Sequence, residues 1–251
     1  MIDGHIHLER GSYTLEWANK FVNYAQKRGI SEIRLLEHTF RFTEFCNVFK
    51  SISGYNEFQK EWLDRKMQTS LDSYKSFIVE MRKIRFPIKV YFGLEVCYLE
   101  DSEDSIKELL SGFDWDFVTG SVHWIDGWGF DHRKEFWEGR DIDATYRRYY
   151  EIMKNLIKSG LFSTLAHPDS IKCFGHLPTC DLKGTYCELA DLLNKYQMSA
   201  EQSAGLFINY GCRELGMNPD MLGTFKKKGV RLITVSDAHQ PEDVGKFIKE
   251  L

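Results

Sequence analysis

Six short segments of the chain run from an apolar stretch straight into residues of the types that bind metal ions. In order they are Ile2-Asp3-Gly4-His5-Ile6-His7, Ile33-Arg34-Leu35-Leu36-Glu37-His38, Val90-Tyr91-Phe92-Gly93-Leu94-Glu95, Phe117-Val118-Thr119-Gly120-Ser121-Val122-His123, Phe162-Ser163-Thr164-Leu165-Ala166-His167 and Leu232-Ile233-Thr234-Val235-Ser236-Asp237-Ala238-His239. Six of the eight histidines fall in these segments, and imidazoles mixed with carboxylates point to a multinuclear metal centre. Spacing sharpens the point. Alternation along a strand puts residues i and i+2 on one face, so His5 and His7 can chelate one ion together, and Asp237 with His239 form a second such pair. Glu95 offers two carboxylate oxygens, enough to bridge two ions about 3.5–4 Å apart as in two-metal hydrolases. Any one histidine alone would read as an ordinary core or loop residue; their repetition at strand ends carries the inference.

Such residues need a scaffold that gathers the C-terminal ends of several strands, which parallel βα units do. An apolar run of four to six residues reads as a buried strand. Amphipathic stripes at helical spacing lie between the runs. Leu15, Ala18, Phe21, Val22 and Ala25 form the first, with Thr14 as N-cap and Gly29 as stop signal. Leu71 to Met81 forms a second, ended near Pro87, and Tyr146 to Ile157 a third before Gly160. Tyr186 to Tyr196 and Met221 to Phe225 complete the set, the last before Gly229. A further strand, Met198 to Gln202, carries Glu201 into a Ser203-Ala204-Gly205 turn. Strand and helix alternate, so the class is α/β with a mainly parallel sheet and right-handed crossovers. About seven strands are counted, one short of an eight-fold barrel. Residues 40–66, rich in Phe and charge, read as an insertion over the active face or as a longer helical connection. No linker or internal repeat interrupts the chain, and residues 1–251 are expected to form one domain.

Charged residues make up 28% of the chain and the net charge is −4. That balance disfavours nucleic acid, which needs a basic track, and a membrane surface, leaving a small-molecule partner. The six cysteines, at 46, 97, 173, 180, 187 and 212, include no C-x-x-C pair and read as free thiols in a reducing cytosol. The spacing of Cys173, Cys180 and Cys187 is not that of a zinc-chelating loop. No stretch approaches the ~20 apolar residues of a membrane span, and no basic-then-apolar leader opens the chain. A cytoplasmic protein is expected.

The motifs run further than the metal-type residues. They include Gly120-Ser121-Val122-His123-Trp124-Ile125-Asp126-Gly127-Trp128-Gly129-Phe130-Asp131-His132, Ala166-His167-Pro168-Asp169 with Phe174-Gly175-His176, Ser203-Ala204-Gly205-Leu206, and Ser236-Asp237-Ala238-His239-Gln240-Pro241. On these residues the chain resembles the polymerase-and-histidinol-phosphatase (PHP) metallohydrolases, and more narrowly the PHP-type histidinol-phosphate phosphatases. The resemblance implies a distorted seven-stranded (β/α) barrel with two or three Zn, Fe or Mn ions at the C-terminal end of its strands. It assigns a first ion to His5, His7, Glu95 and Asp237. Glu95 would bridge to a second ion held by His123 and His167, and His38 with His239 would hold a third. Glu95, His123 and Asp237 are then the catalytic candidates.

The implied reaction is hydrolysis of a small phosphate monoester, L-histidinol phosphate first, at ions that supply hydroxide and neutralise the phosphate. Lys172, His176 and Arg213 are candidates to hold the phosphate, Asp126 and Asp131 to meet a substrate amine, and His132 to donate a proton. Three positions depart from the pattern. Tyr13 stands where many relatives place a histidine, six residues after His7. Cys97 replaces an acidic residue two positions after the bridging glutamate, and Phe207-Ile208-Asn209-Tyr210 stands where relatives tend to be basic. The competing readings are another phosphomonoester or a nucleotide as substrate, and a non-catalytic PHP binding module.

Overall fold

In the computed structural model, which describes residues 1–251, every one of these apolar runs becomes a strand of a single sheet. Along the chain come β1 (Ile2–His7), β2 (Glu32–Leu36), β3 (Lys89–Cys97) and β4 (Phe117–Ser121). A small antiparallel hairpin follows, β5 (Trp124–Ile125) with β6 (Trp128–Gly129), and then β7 (Thr164–Leu165), β8 (Ser199–Ser203) and β9 (Leu232–Val235). The seven long-sheet strands pair in parallel in the order β1-β2-β3-β4-β7-β8-β9. The fold is therefore a distorted, nearly closed seven-stranded α/β barrel with the metal-type residues at the strand ends.

Helices fill the connections: α1 (Leu15–Lys27), α2 (Lys50–Ser53), α3 (Glu57–Lys66), α4 (Leu71–Met81), α5 (Glu103–Ser111), α6 (Ile142–Ser159), α7 (Lys183–Lys195), α8 (Gly205–Tyr210) and α9 (Pro219–Lys227). Their limits follow from local chemistry. The Thr14 hydroxyl accepts the Trp17 N–H at 3.2 Å and the Asp141 carboxylate accepts the Ala144 N–H at 3.0 Å, each satisfying a donor that the first helical turn leaves free. Asn218 caps α9 with Pro219 just inside its start. Each periodic stripe faces inward; α1, for instance, buries Ala18, Phe21, Val22 and Ala25. Residues 40–66, read as an insertion or a longer helical connection, hold α2 and α3; α3 buries only Gln59 and Leu63, too sparse an apolar face for a period to fix its limits. The short α5 was missed for the same reason, with Ile106 and Leu110 alone buried. No helix is long and apolar enough to cross a membrane.

Two features bring the strand ends into register. Past the end of β2 the pairing continues as a bridge between His38 and Glu95, with the Glu95 N–H donating to the Glu37 carbonyl at 2.9 Å. At the seam between β1 and β9 there is no ladder, only the bridge of Ile6 to Ala238, where the His7 N–H donates to the Ala238 carbonyl at 2.8 Å. Side chains complete that seam. The buried Asp3 carboxylate accepts the Ser236 N–H and the Gly245 N–H, each at 2.8 Å, and the Ser236 hydroxyl. Burial pushes the Asp3 carboxyl up to about 6 against the pull of those donors, so it is a charged acceptor at neutral pH. Gly4 is needed for closeness: a Cβ there would stand 2.5 Å from Ile233 Cγ2.

Replacing Asp3 by Ala leaves buried N–H and O–H groups without acceptors on both sides of the seam. We expect a loss of about 2–4 kcal/mol at pH 7, read as a lower denaturant midpoint. An unchanged midpoint would show that the seam holds without the carboxylate.

A candidate metal centre at the strand ends

Glu95 is wholly buried, and five imidazole nitrogens surround its carboxylate. His5 Nε2 and His38 Nδ1 lie 3.0 Å from Oε2, and His7 Nε2 lies 3.3 Å from it. On the other oxygen, His123 Nε2 is at 2.9 Å and His167 Nε2 at 3.2 Å. Hydrogen bonds do not account for this crowd. His5 Nε2 and His7 Nε2 face each other at 2.9 Å, and His38 Nδ1 is buried without a hydrogen-bond partner although it is close to Glu95. Nitrogens that converge on one another and on a carboxylate are arranged as donors around cations. The grouping is also of the right kind: His5, His7 and Asp237 form one set, Glu95, His123 and His167 a second, and His7, His38 and His239 a third, with donor atoms within 4.8 Å of one another in each. The residues present therefore fit two or three divalent ions.

Neighbouring carboxylates fix the rings. His5 Nδ1 donates to Glu201 Oε1 at 2.8 Å, and His123 Nδ1 donates to Asp131 Oδ2 at 2.6 Å. Each partner takes the proton on one nitrogen and leaves Nε2 free to bind, the usual means of orienting a ligating histidine. The second oxygen of Glu201 accepts the backbone N–H of His167 at 3.1 Å, so one buried carboxylate positions two of the histidines. Glu201 was read from sequence only as part of a strand. Its one signal was a charge inside a short run between β7 and β9.

The charges follow from this packing. Burial opposes protonation of His5, but Glu201 and Glu95 outweigh it and hold the ring well above its ordinary value. His123 behaves alike: burial pulls down, and Asp131 with Glu95 raises it to about 10. His7 is held well below the ordinary value by burial and by its imidazole neighbours. Burial would raise Glu95, yet His38 and His5 hold it far down as a carboxylate.

Asp237 takes a backbone conformation unusual for a side-chain-bearing residue, with φ +54°, of the kind that accumulates at functional sites. Gly205 makes room for it: a Cβ at that position would stand 2.1 Å from Asp237 Oδ2. The Ser203-Ala204-Gly205 element is thus a space for the Asp237 carboxylate, a role with no sequence signal beyond the glycine itself.

A cavity of about 430 Å³ opens onto the histidines. His38, His123, His167, Asp237 and His239 line it, together with Asp131 and His132. Trp62 and Lys66 of α3 also line it, so residues 40–66 do cover the active face, and Arg10 and Glu9 stand at its side.

Three residues read from sequence as phosphate holders are elsewhere. Lys172 is buried, with its ammonium on Asp169 at 2.7 Å, Glu214 at 2.8 Å and the Gly216 carbonyl at 2.9 Å; a buried lysine must be paired, and this one is spent on its own loop. His176 stacks on Trp137 at 4.7 Å, and Arg213 is exposed; neither lines the cavity. Asp126 pairs with Arg148 at 2.7 Å. The cations that do reach the cavity are Arg10, which donates to Gln240 at 3.2 Å, and Lys66, 3.8 Å from Glu9; both were missed because they sit in segments without periodicity. Tyr13 packs its ring on Tyr74 and Phe77 at 5.0 and 5.6 Å and does not line the cavity. No cysteine trio gathers from Cys173, Cys180 and Cys187, and all six cysteines are free.

The PHP domain matches this chain over residues 3–210. The chain belongs to the PHP family. Its similarity to the "Probable histidinol-phosphatase" of Deinococcus radiodurans is 33% identity over 196 residues, covering 73% of this chain and 72% of that one. Two solved structures share the fold at lower identity. A histidinol phosphatase homologue from Listeria monocytogenes superposes with TM-score 0.80 at 19% identity, covering 100% of this chain and 99% of its own. The histidinol phosphate phosphatase of Lactococcus lactis, complexed with Zn, L-histidinol and phosphate, gives TM-score 0.70 at 20% identity, covering 96% and 86%. This PHP domain is a hydrolase of the phosphoesterase kind, with a multinuclear metal site.

Metal loading is expected to depend on pH in a direction that the charges fix. His5 and His123 must lose protons to bind, since both are held above their ordinary values without metal, whereas His7 and Glu95 need lose none. Binding should release at least two protons per chain near pH 7, roughly one from each of these rings, and affinity should climb as pH rises from 6 towards about 10. Calorimetry in buffers of different ionisation enthalpy measures this; zero net proton release would refute it. Gly205→Ala should drive Asp237 aside and cut turnover about 100-fold, the scale of a misplacement near 1 Å. Near-normal kinetics would show that Asp237 tolerates the shift.

Proposed function

We propose that this protein is an L-histidinol-phosphate phosphatase of histidine biosynthesis, acting in the cytoplasm as one PHP-type domain over residues 1–251. The observation that carries the proposal is a buried carboxylate–imidazole cluster opening into a small cavity whose walls mix aromatic rings with charges of both signs. In this reading His5, His7, Glu95 and Asp237 hold one ion, Glu95, His123 and His167 a second, and His38 with His239 a third. Zn, Fe and Mn all suit such donors. Bound there, the ions supply hydroxide at neutral pH and neutralise the phosphate.

The remaining work falls to this chain's own side chains. Glu201 and Asp131 keep Nε2 of His5 and His123 aimed at the centre. Arg10 and Lys66 give the cavity mouth positive charge for a dianionic monoester. His132 lies 4.6 Å from Trp62 and 5.5 Å from Trp124, ring centre to ring centre, an aromatic wall against which a substrate imidazole can stack. Burial holds His132 below its ordinary value, so this ring meets the substrate neutral. Asp131 Oδ1 is buried without a partner, and with Glu9 it offers anionic oxygens to an ammonium. A cavity of about 430 Å³ matches a small ligand. The name of the 33% identical Deinococcus relative supports the same substrate, and the six unpaired cysteines support a reducing compartment.

Kinetics with L-histidinol phosphate, sugar phosphates, nucleotides and an aryl phosphate side by side test the substrate. We expect histidinol phosphate to have the highest kcat/KM; equal values across the panel would leave a phosphoesterase without this specificity. Trp62→Ala should raise KM for histidinol phosphate roughly 3–10-fold, the worth of one aromatic contact, with little effect on a sugar phosphate. A uniform effect on both would place Trp62 outside the recognition of the imidazole.

A further inference from the structure

Cys97 lies two residues beyond Glu95 on β3 and therefore on the same face, and it is wholly buried. Its Sγ, one ring nitrogen of His38 and one of His123 all lie within 4.8 Å of one another. The other five cysteines enter no such group. Packing alone would surround a buried thiol with hydrocarbon. Here the sulfur faces two imidazoles, with the Ser121 hydroxyl 3.9 Å from it and 3.4 Å from the Val96 carbonyl. A second observation points the same way. His38 Nδ1, 3.0 Å from Glu95 Oε2, is buried and without a hydrogen-bond partner, as a nitrogen that binds a cation would be. Tyr13, meanwhile, has its ring in the core against Tyr74 and Phe77 and does not line the cavity.

The geometry points to Cys97 as a metal ligand: a thiolate that shares one divalent ion with His38 and His123. The inference rests on the metal-centre reading above and redraws one of its sets, since His38 and His123 serve different ions there and share one here. Binding replaces the S–H bond with an S–metal bond, and the proton leaves to solvent. A sulfur donor beside two imidazoles makes this position softer than an all-nitrogen-and-oxygen one, favouring Zn or Fe over Mn. The substitution of a carboxylate-type position by cysteine would then tune which metal the centre selects.

X-ray absorption at the zinc edge of the zinc-loaded full-length protein tests this directly. We expect a sulfur neighbour at about 2.3 Å, lost in Cys97→Ser, together with a thiolate-to-metal charge-transfer band in the cobalt-loaded protein that the same variant lacks. Should Cys97→Ser fail to fold, a chain with Cys46, Cys173, Cys180, Cys187 and Cys212 all changed to Ser keeps Cys97 as its one thiol and should retain both signals. A wild-type spectrum with nitrogen and oxygen neighbours only, or a sulfur signal that survives Cys97→Ser, overturns the assignment. Hydrolysis of histidinol phosphate by the same zinc-loaded sample separates the two readings. Activity without sulfur leaves the phosphatase standing and removes Cys97, whereas sulfur without activity does the reverse.

Discussion

A carboxylate with no access to water, ringed by five imidazole nitrogens, is the constraint around which this protein is organised. Removing a charged carboxylate from water costs several kcal/mol, and Glu95 can stay ionised only because positive charge is gathered around it. The rings that surround it come from β1, from the segment beyond β2, and from the loops after β4 and β7, and His5 and His123 among them are held protonated. The barrel is what allows five separate stretches of chain to reach one point. Distortions of the barrel, such as the two-residue β7 and the bridged seam, are tolerable so long as those ends stay within ångströms of Glu95.

Orientation is a separate problem from proximity, and the protein solves it with buried acids and with empty space. Asp131 and Glu201 each accept a proton from the far side of a ring. Gly205 contributes by having no side chain where the Asp237 carboxylate must lie. These residues touch no ion in any ligand set, yet they decide which atoms face the centre. Substitutions at such positions would leave the metal-type residues intact in sequence while altering what they can bind.

Much of this was legible in the chain because period and position survive folding. A run of four apolar residues ending in His or Glu at six places identifies a strand, its direction and its functional end together, and all six became parallel strands. The helical stripes and their caps at Thr14 and Gly160 were equally plain. What the sequence hid were contacts between segments with no period of their own. Lys172 was a candidate to hold the phosphate, but its neighbours in space, Asp169 and Glu214, claim its charge. Lys66 and Trp62 looked like part of an irregular insertion, and only packing turns α3 toward the cavity. Glu201 needed the register of β8 against β7 and β9 to reveal what it faces.

The seam at Asp3 bears on how the protein comes into being. Its partners, Ser236 and Gly245, lie 233 and 242 residues further along the chain, and Asp237 and His239, which meet His5 and His7, are nearly as remote. A nascent chain emerges N-terminus first, so β1 leaves the ribosome long before the strand that must close against it. Until β9 arrives, β1 with His5 and His7 is the open edge of an incomplete sheet, and the entropy of closing so long a loop must still be overcome. Translation thus has to pass β9 before a metal-competent enzyme can exist, and ions met earlier find only a partial set of ligands.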